Sequence, residues 1–526
     1  MKRGAGLPGF CLASSVGHEL KHRQPSPILI SSSITVLYAI AALTGAAFAA
    51  VEFRMLWRFV RNRREIRTTV TSDPQPDRIE IQPDDSGLFP LVTIQLPLYN
   101  ERRSAAQAIR AAASQDYPRS RFDIQVLDDS DDETGDIVKD VVNELHSQGV
   151  QLVHLRRDNR SGYKAGALAA GLQKSEAEFV AVFDADFLPD PNFLRTVLID
   201  RNGFDQPNVA FVQTRWSWSE PIRGFFSASL ALLLDRHFLV QKPTRAFFGN
   251  VATFNGSGGI WRRKAIDDSG GWSAETLTED LDLSYRCALR GWQGRYLRDV
   301  DVVNELPEDM RALKLQQHRW SKGNAQCFRL LTARVLSSHE FLKDRIDEVF
   351  LLAGYAIHPI LMMNLMLWPW AVLFMDRDTF WVVQGIMALV IVVAPVSFLI
   401  TVLERDQRLS LRSIGEIAAS VCIGIGLMVN NTIGQIQGFL TSGGEFVRTP
   451  KGHKATVVRK SGQTALSAYQ VPLHWSFFVE LLTIIYCLGG GAVLSSAGEA
   501  FWAVPLLFWA LCLGFVVQQQ LTPSRA

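Results

Sequence analysis

Hydrophobic positions along the chain follow two different rhythms. Between residues 88 and 345, short β-branched runs (91–96, 123–127, 150–155 and 179–183) alternate with stretches of helical periodicity (104–114, 134–147 and 164–173). That alternation marks βαβ units and an α/β, Rossmann-like, mainly parallel sheet, whose chemistry belongs at the C-terminal ends of its strands. Elsewhere the apolar residues come in long blocks. Residues 28–51, 349–375, 379–403 and 501–518 carry no Asp, Glu, Lys or Arg, and 474–497 carries only Glu480. A run of about 20 apolar residues can cross a bilayer.

A further uncharged block, 417–444, is different. It holds Asn430, Asn431, Thr432, Gln435 and Gln437, and the loops on both of its sides are basic. One crossing would put a basic loop outside, against the positive-inside rule. The block is therefore expected to be interfacial or re-entrant, giving five spans, or six if it crosses. The pattern divides the chain into a polar tail (1–27), a first span (28–53), a basic juxtamembrane segment and linker (54–87), a soluble domain with interface helices (88–345), two spans (346–403), the interfacial segment with its following loop (404–472), two spans (473–519) and a tail (520–526). Arg54, Arg58, Arg61, Arg63, Arg64 and Arg67 outnumber the basic residues before the first span, which places the soluble domain in the cytoplasm. A secretory signal peptide fits less well, since arginines rather than a cleavage site follow the block. No further soluble module is expected after the last span.

Composition narrows the function. A net charge of +2 on 526 residues lacks the basic footprint of a nucleic-acid binder. The six cysteines (Cys11, Cys287, Cys327, Cys422, Cys487 and Cys512) show no paired spacing, so neither a zinc site nor a disulfide framework is indicated.

The candidate chemistry sits at strand ends. Val180-Ala181-Val182-Phe183 runs into Asp184-Ala185-Asp186. Two hard oxygen donors one residue apart at a strand tip suit Mg²⁺ or Mn²⁺ and, through it, a diphosphate; a solvated turn is the bland alternative. Tyr99-Asn100-Glu101 follows the first strand and could hold a base or ribose, or simply cap a helix. Asp128-Asp129 ends the second strand, and its carboxylates repel one another unless cations or donors hold them. Lys164 sits in Gly162-Tyr163-Lys164-Ala165-Gly166, where glycines and a helix start favour anions, without a Walker pattern. Thr278-Glu279-Asp280 offers either a helix cap or a general base for a hydroxyl. Gln316-Gln317-His318-Arg319-Trp320 provides a bidentate guanidinium and an indole face, suited to a diphosphate and a sugar ring, or to a membrane surface.

The order of these elements (Asp-Asp, Lys, Asp-X-Asp, Thr-Glu-Asp, then Gln-Gln-X-Arg-Trp before several spans) resembles the processive glycosyltransferases of family 2, the cellulose synthase superfamily. Within it, the chain is similar to the cellulose synthase-like A and C branch of mannan, glucomannan and xyloglucan-backbone glucan synthases. QVLDDS, NRSGYKAGAL, VFDADFLPD, FNGSGGIWR, TEDLDL and LQQHRWSKG carry the resemblance. Glu445-Phe446-Val447-Arg448-Thr449-Pro450-Lys451 is similar to the family's gating loop, from whose commoner form Arg448 and Pro450 depart.

The resemblance implies a GT-A catalytic domain attached to a helical transmembrane region. It implies an inverting transfer of hexose from UDP-glucose or GDP-mannose to a growing β-linked (β-1,4) glucan or mannan, secreted through the spans. A single-addition transferase acting on a lipid-linked or glycan acceptor is the alternative. Tyr99, Asn100, Glu101, Asp128, Asp129, Lys164, Asp184, Gln316 and Arg319 would hold the donor, with Asp184 and Asp186 at the metal. Asp280 would be the catalytic base. Asn255, Gly256, Glu279 and Trp320 would meet the acceptor, and Phe446, Arg448, Thr449 and Lys451 would form the gate. The membrane would be the plasma or inner membrane, or the Golgi in a eukaryote; the donor sugar and any accessory subunits stay open.

Overall fold

The computed structural model describes residues 27–70, 89–218, 224–339, 344–445 and 472–522. The gating-like residues Phe446, Arg448, Thr449 and Lys451 lie outside the described residues.

Among the described residues, eight strands form one sheet: β1 (Val92–Leu98), β2 (Phe122–Asp128), β3 (Leu152–Arg156), β4 (Phe179–Val182), β5 (Phe187–Leu188), β6 (Val209–Trp218), β7 (Gly259–Arg262) and β8 (Gln293–Asn304), in the order β3-β2-β1-β4-β7-β6-β8-β5. The four strands readable from the sequence, β1 to β4, are parallel. Beyond them the sheet is mixed: β7 runs antiparallel to β4 and β6, β8 runs parallel to β6, and β5 runs antiparallel to β8. The parallel strands β1, β2 and β4 are almost wholly buried, as in sheets covered by helices on both faces. Ile94, Leu96, Ile124, Val126 and Ala181 are fully buried in their core.

Register sets the site. Leu98 pairs with Asp128 and Gln95 with Val182, so the chain leaves β1, β2 and β4 along one edge at Tyr99, Asp129 and Asp184. Open α/β sheets bind ligands in the crevice at that edge. The helix Tyr163–Leu172 lies close against the sheet because position 171 is glycine; a Cβ there would stand 2.6 Å from the Gln125 side chain.

Among the described residues, five helices are long and apolar enough to cross a membrane: Ser31–Arg61, Gly354–Phe374, Arg377–Arg405, Ser476–Ser496 and Ala500–Leu521. The ambiguous block forms two helices, Leu411–Gly426 and Met428–Leu440, bent by 42° at their junction. Its polar residues meet the long helix Met310–Ser337. Asn430 donates to Lys314 O at 3.0 Å, Gln435 to Ser321 O at 2.6 Å, and Ser321 Oγ to Asn431 O at 2.7 Å. Gly438 permits this contact, since a Cβ there would stand 2.3 Å from Lys322 O. Polar side chains in an apolar setting need such partners. The span tryptophans Trp368, Trp381 and Trp502 pack on one another around Phe380 rather than standing apart along a path.

Candidate active site

An open cleft lies at the C-terminal edge of the sheet. Tyr99, Glu101, Asp129, Lys164, Asp184, Asp186, Gln316 and Arg319 all line it, so side chains spread over more than two hundred residues share one surface.

The β4 strand stops at Val182, and the turn after it is fixed from two sides. Asp184 N donates to Ser257 Oγ at 2.9 Å, and Phe187 N donates to Asp184 O at 2.9 Å. Ala185 is buried while Asp184 and Asp186 flank it half-buried, which keeps both carboxylates on the cleft side. Lys164, one residue into its helix, ties three segments together: its Nζ lies 2.6 Å from Asp184 Oδ1, 3.5 Å from Glu279 Oε1, and donates to Gly256 O at 2.9 Å. Burial works against the lysine's charge, but Asp184, Glu279 and Asp280 outweigh it and hold its pKa above the ordinary value. Burial raises the Asp184 pKa despite Lys164, and the neighbouring Asp186 charge adds to the rise.

Asp280 is the second residue of the helix Glu279–Ala288. Burial, reinforced by the adjacent Glu279 charge, pushes its pKa up to about 7. A carboxyl poised there can take a proton from a hydroxyl near neutrality. Gly256 (φ +81°) lies against both groups: a Cβ on it would stand 3.3 Å from Asp280 Oδ2 and 3.4 Å from Lys164 Nζ. This residue needs both the left-handed backbone and the empty space.

The Met310–Ser337 helix closes the other side. Gln316 is buried, and its Oε1 has no partner among the described residues. Burial lowers the Arg319 pKa, opposed by Glu279, Asp184 and Asp280, so the guanidinium faces a field of carboxylates. Trp320 follows it, partly buried.

Of the expected donor residues, Asp128 and Asn100 are tied up by other parts of the protein, while Glu101 keeps its place. Asp128 is buried and turned away from the cleft; it accepts from Ser130 N at 2.9 Å and lies 2.8 Å from His154 Nε2. Burial opposes its charge, but those partners hold its pKa below the ordinary value. Asn100 (φ +57°) locks two loops together, its side chain donating to Asp131 Oδ1 at 2.8 Å and accepting from Asp131 N at 3.1 Å. Glu101 stays at the cleft and accepts from Ser104 Oγ at 3.0 Å. The spacing of acidic residues gave no hint of two arginines. Arg157 grips both Asp129 oxygens, at 2.9 and 2.5 Å, and Arg160 lies 3.2 Å from the Tyr99 ring centroid. Both stand in or beside the NRSGYKAGAL motif, whose glycines and lysine alone drew notice. Gly166 leaves room for Arg157, since a Cβ there would stand 2.6 Å from its Nη1.

Residues 90–323 match the model of the glycosyltransferase-like family 2. The chain carries a glycosyltransferase family 2 domain. Its sheet, with acidic strand tips facing one cleft, is the GT-A form expected from the resemblance. Glucomannan 4-β-mannosyltransferase 2 of Arabidopsis thaliana is 42% identical over 280 residues, covering 50% of this chain and 51% of that protein. A probable glucomannan 4-β-mannosyltransferase 9 of Oryza sativa subsp. japonica is 40% identical over 268 residues, covering 48% and 49%. The chain thus spans about half the length of the curated relatives it matches. Among solved structures, a mannosyltransferase of Pyrobaculum calidifontis in complex with GDP-mannose and Mn²⁺ is 20% identical, with a TM-score of 0.48, covering 73% of this chain and 99% of that one.

Proposed function

We propose that the protein is a membrane-embedded, inverting hexosyltransferase that extends a β-1,4-linked mannan or glucan from a nucleotide sugar and passes it through its spans. The observation that carries this reading is the cleft itself. Anion-binding Lys164 and Arg319 and the carboxylates Asp184 and Asp186 form one side, and Asp280, with its raised pKa, stands within reach of Lys164 and Gly256.

Lys164 and Arg319 hold the diphosphate and offset the charge that gathers on it as the glycosidic bond breaks. Asp129, braced by Arg157, and Tyr99 hold the nucleoside. Asp280 accepts the proton of the attacking acceptor hydroxyl, from the face opposite the leaving group. Glu279 beside it keeps the carboxyl from ionising early, and Gln316 Oε1 awaits a hydroxyl or water as donor. Among the described residues no group of three His, Cys, Asp or Glu stands ready to hold a metal alone. Asp184 and Asp186 would hold a divalent cation, their hard carboxylate oxygens suiting Mg²⁺ or Mn²⁺. Such an ion, when bound, neutralises charge on the departing nucleoside diphosphate. The Leu411–Gly426 and Met428–Leu440 pair acts as an interfacial support for the Met310–Ser337 helix, and the basic residues after the first span keep the domain cytoplasmic.

The test is to incubate membranes holding the protein with labelled GDP-mannose or UDP-glucose, then digest the product with β-1,4-specific mannanase or glucanase. A high-mass product released by one of them supports the reading. Single-sugar products alone overturn the processive part, and no transfer from any donor overturns it all.

A further inference from the structure

Behind Asn255 runs a continuous chain of neutral and charged side chains that ends on the first membrane helix. Asn255 Nδ2 lies 3.2 Å from His237 Nε2, His237 Nδ1 lies 3.3 Å from Gln241 Oε1, and Gln241 Nε2 donates to Glu52 at 3.3 and 3.4 Å. Glu52 belongs to the Ser31–Arg61 span and also accepts from Arg236 at 2.5 Å and from Ser397 Oγ at 3.2 Å. Asn255 N donates to Gln213 Oε1 at 2.8 Å, which pins the backbone.

The direction of every link follows from its far end. A carboxylate paired with arginine only accepts, so Gln241 must turn its NH₂ to Glu52 and its oxygen to His237. That oxygen demands a proton on His237 Nδ1. Burial, with Lys242 and Arg245 nearby, pushes the His237 pKa down to about 3, so the ring is neutral and its Nε2 is left bare. A bare Nε2 accepts, and it can accept only from the Asn255 NH₂. The amide oxygen is thereby turned the other way. Asn255 Oδ1 is buried with no partner among the described residues, in the segment whose next residue, Gly256, touches both Asp280 and Lys164.

We infer that Asn255 Oδ1 is a binding contact for a hydroxyl of the acceptor sugar, and that Glu52, through Gln241 and His237, is a positioning residue that fixes which end of the amide the acceptor meets. This rests on the proposed hexosyl transfer. A hydroxyl donating to Oδ1 satisfies a buried acceptor that otherwise stays unpaired, and unpaired buried polar atoms are disfavoured. The chain links acceptor recognition to a membrane helix without any charge entering the cleft.

Glu52→Gln removes the fixed polarity, because a glutamine can donate as well as accept, and Asn255 can then present its NH₂. The experiment measures KM for a β-linked oligosaccharide primer and KM for the nucleotide sugar, in the full-length protein in membranes. Glu52→Gln is expected to raise the primer KM about tenfold, the worth of one buried hydrogen bond, with donor KM unchanged. Glu52→Asp, still acceptor-only, is expected to stay within about threefold of the parent. His237→Leu cuts the chain at another point and gives the same split if Glu52→Gln fails to fold. The double variant is expected to add nothing, since both changes break one chain. An unchanged primer KM in Glu52→Gln, an equal rise in both KM values, or additive effects in the double variant overturns the inference while leaving hexosyl transfer standing. A parent protein that transfers no sugar overturns both.

Discussion

The proposed donor wall, which lines the cleft, and the proposed acceptor wall beside it, around Asn255 and Asp280, are built from different interactions. On the donor wall, charges meet charges at strand tips: Arg157 on Asp129, Lys164 on Asp184, Arg160 over Tyr99. On the acceptor wall, Asn255, His237 and Gln241 transmit a hydrogen-bond direction, and only Asp280 is poised to change its charge. The proposed donor would carry a multiply charged diphosphate, for which fixed counter-charges are effective. The proposed acceptor is a neutral sugar chain rich in hydroxyls, so what it would need from the protein is orientation and one base. Lys164, which touches Asp184, Gly256 and Glu279, is the side chain where the walls join.

The sharpest way to separate the walls is Asp280→Asn. It is expected to reduce turnover about 10³-fold, within the range for losing a general base. Binding of the nucleoside diphosphate, followed by calorimetry, is expected to stay within about twofold. A parallel loss of binding would show that Asp280 belongs to the donor wall instead. Chelation attacks the other side. EDTA is expected to lower transfer about 10²-fold, with recovery on adding Mg²⁺ or Mn²⁺, because it strips the counter-charge from the leaving group. Transfer indifferent to EDTA would remove Asp184 and Asp186 from the role of metal ligands. The smallest effect is on pH. Asp280 acts as a base only when unprotonated, and its pKa lies at about 7. The rate is therefore expected to climb about tenfold per unit below pH 7 and to level off above it. In Glu279→Gln, with the neighbouring charge gone, that midpoint moves to lower pH; a midpoint that stays put would mean burial alone sets it.

The same contrast explains what could be read from sequence. The donor wall is local: a β-branched run followed by carboxylates reports both a strand and its tip, and β1, β2 and β4 stand where the pattern placed them. Register brings the strand tips at Asp129, Asp184 and Asp186 to one edge, and the helices Tyr163–Leu172 and Met310–Ser337 bring Lys164 and Arg319 to them. What failed on this wall was side-chain direction. Asp128 and Asp129 are adjacent, yet only Asp129 faces the cleft, since strand neighbours point to opposite sides. Asn255 and Asp280 were expected, but the residues behind Asn255 were hidden for another reason. Glu52 lies roughly two hundred residues before Asn255 in an apolar block, where a lone acid looks like a helix end. Neither His237 nor Gln241 stands in a recognisable spacing. The asparagines and glutamines of 430–437 did stand out against their apolar setting, but their partners on the Met310–Ser337 helix could be found only in three dimensions.

That helix has a practical consequence for dissecting the protein. Among the described residues all eight strands are complete at Asn304, so a piece cut after them would look like an intact domain by its sheet. It would nonetheless lack Gln316 and Arg319, and extending it to residue 337 would lay bare the strip that Asn430, Gln435 and Gly438 cover. The membrane half is thus a structural wall of the enzyme as well as its anchor, and a detergent-free fragment would be either half a site or a sticky one.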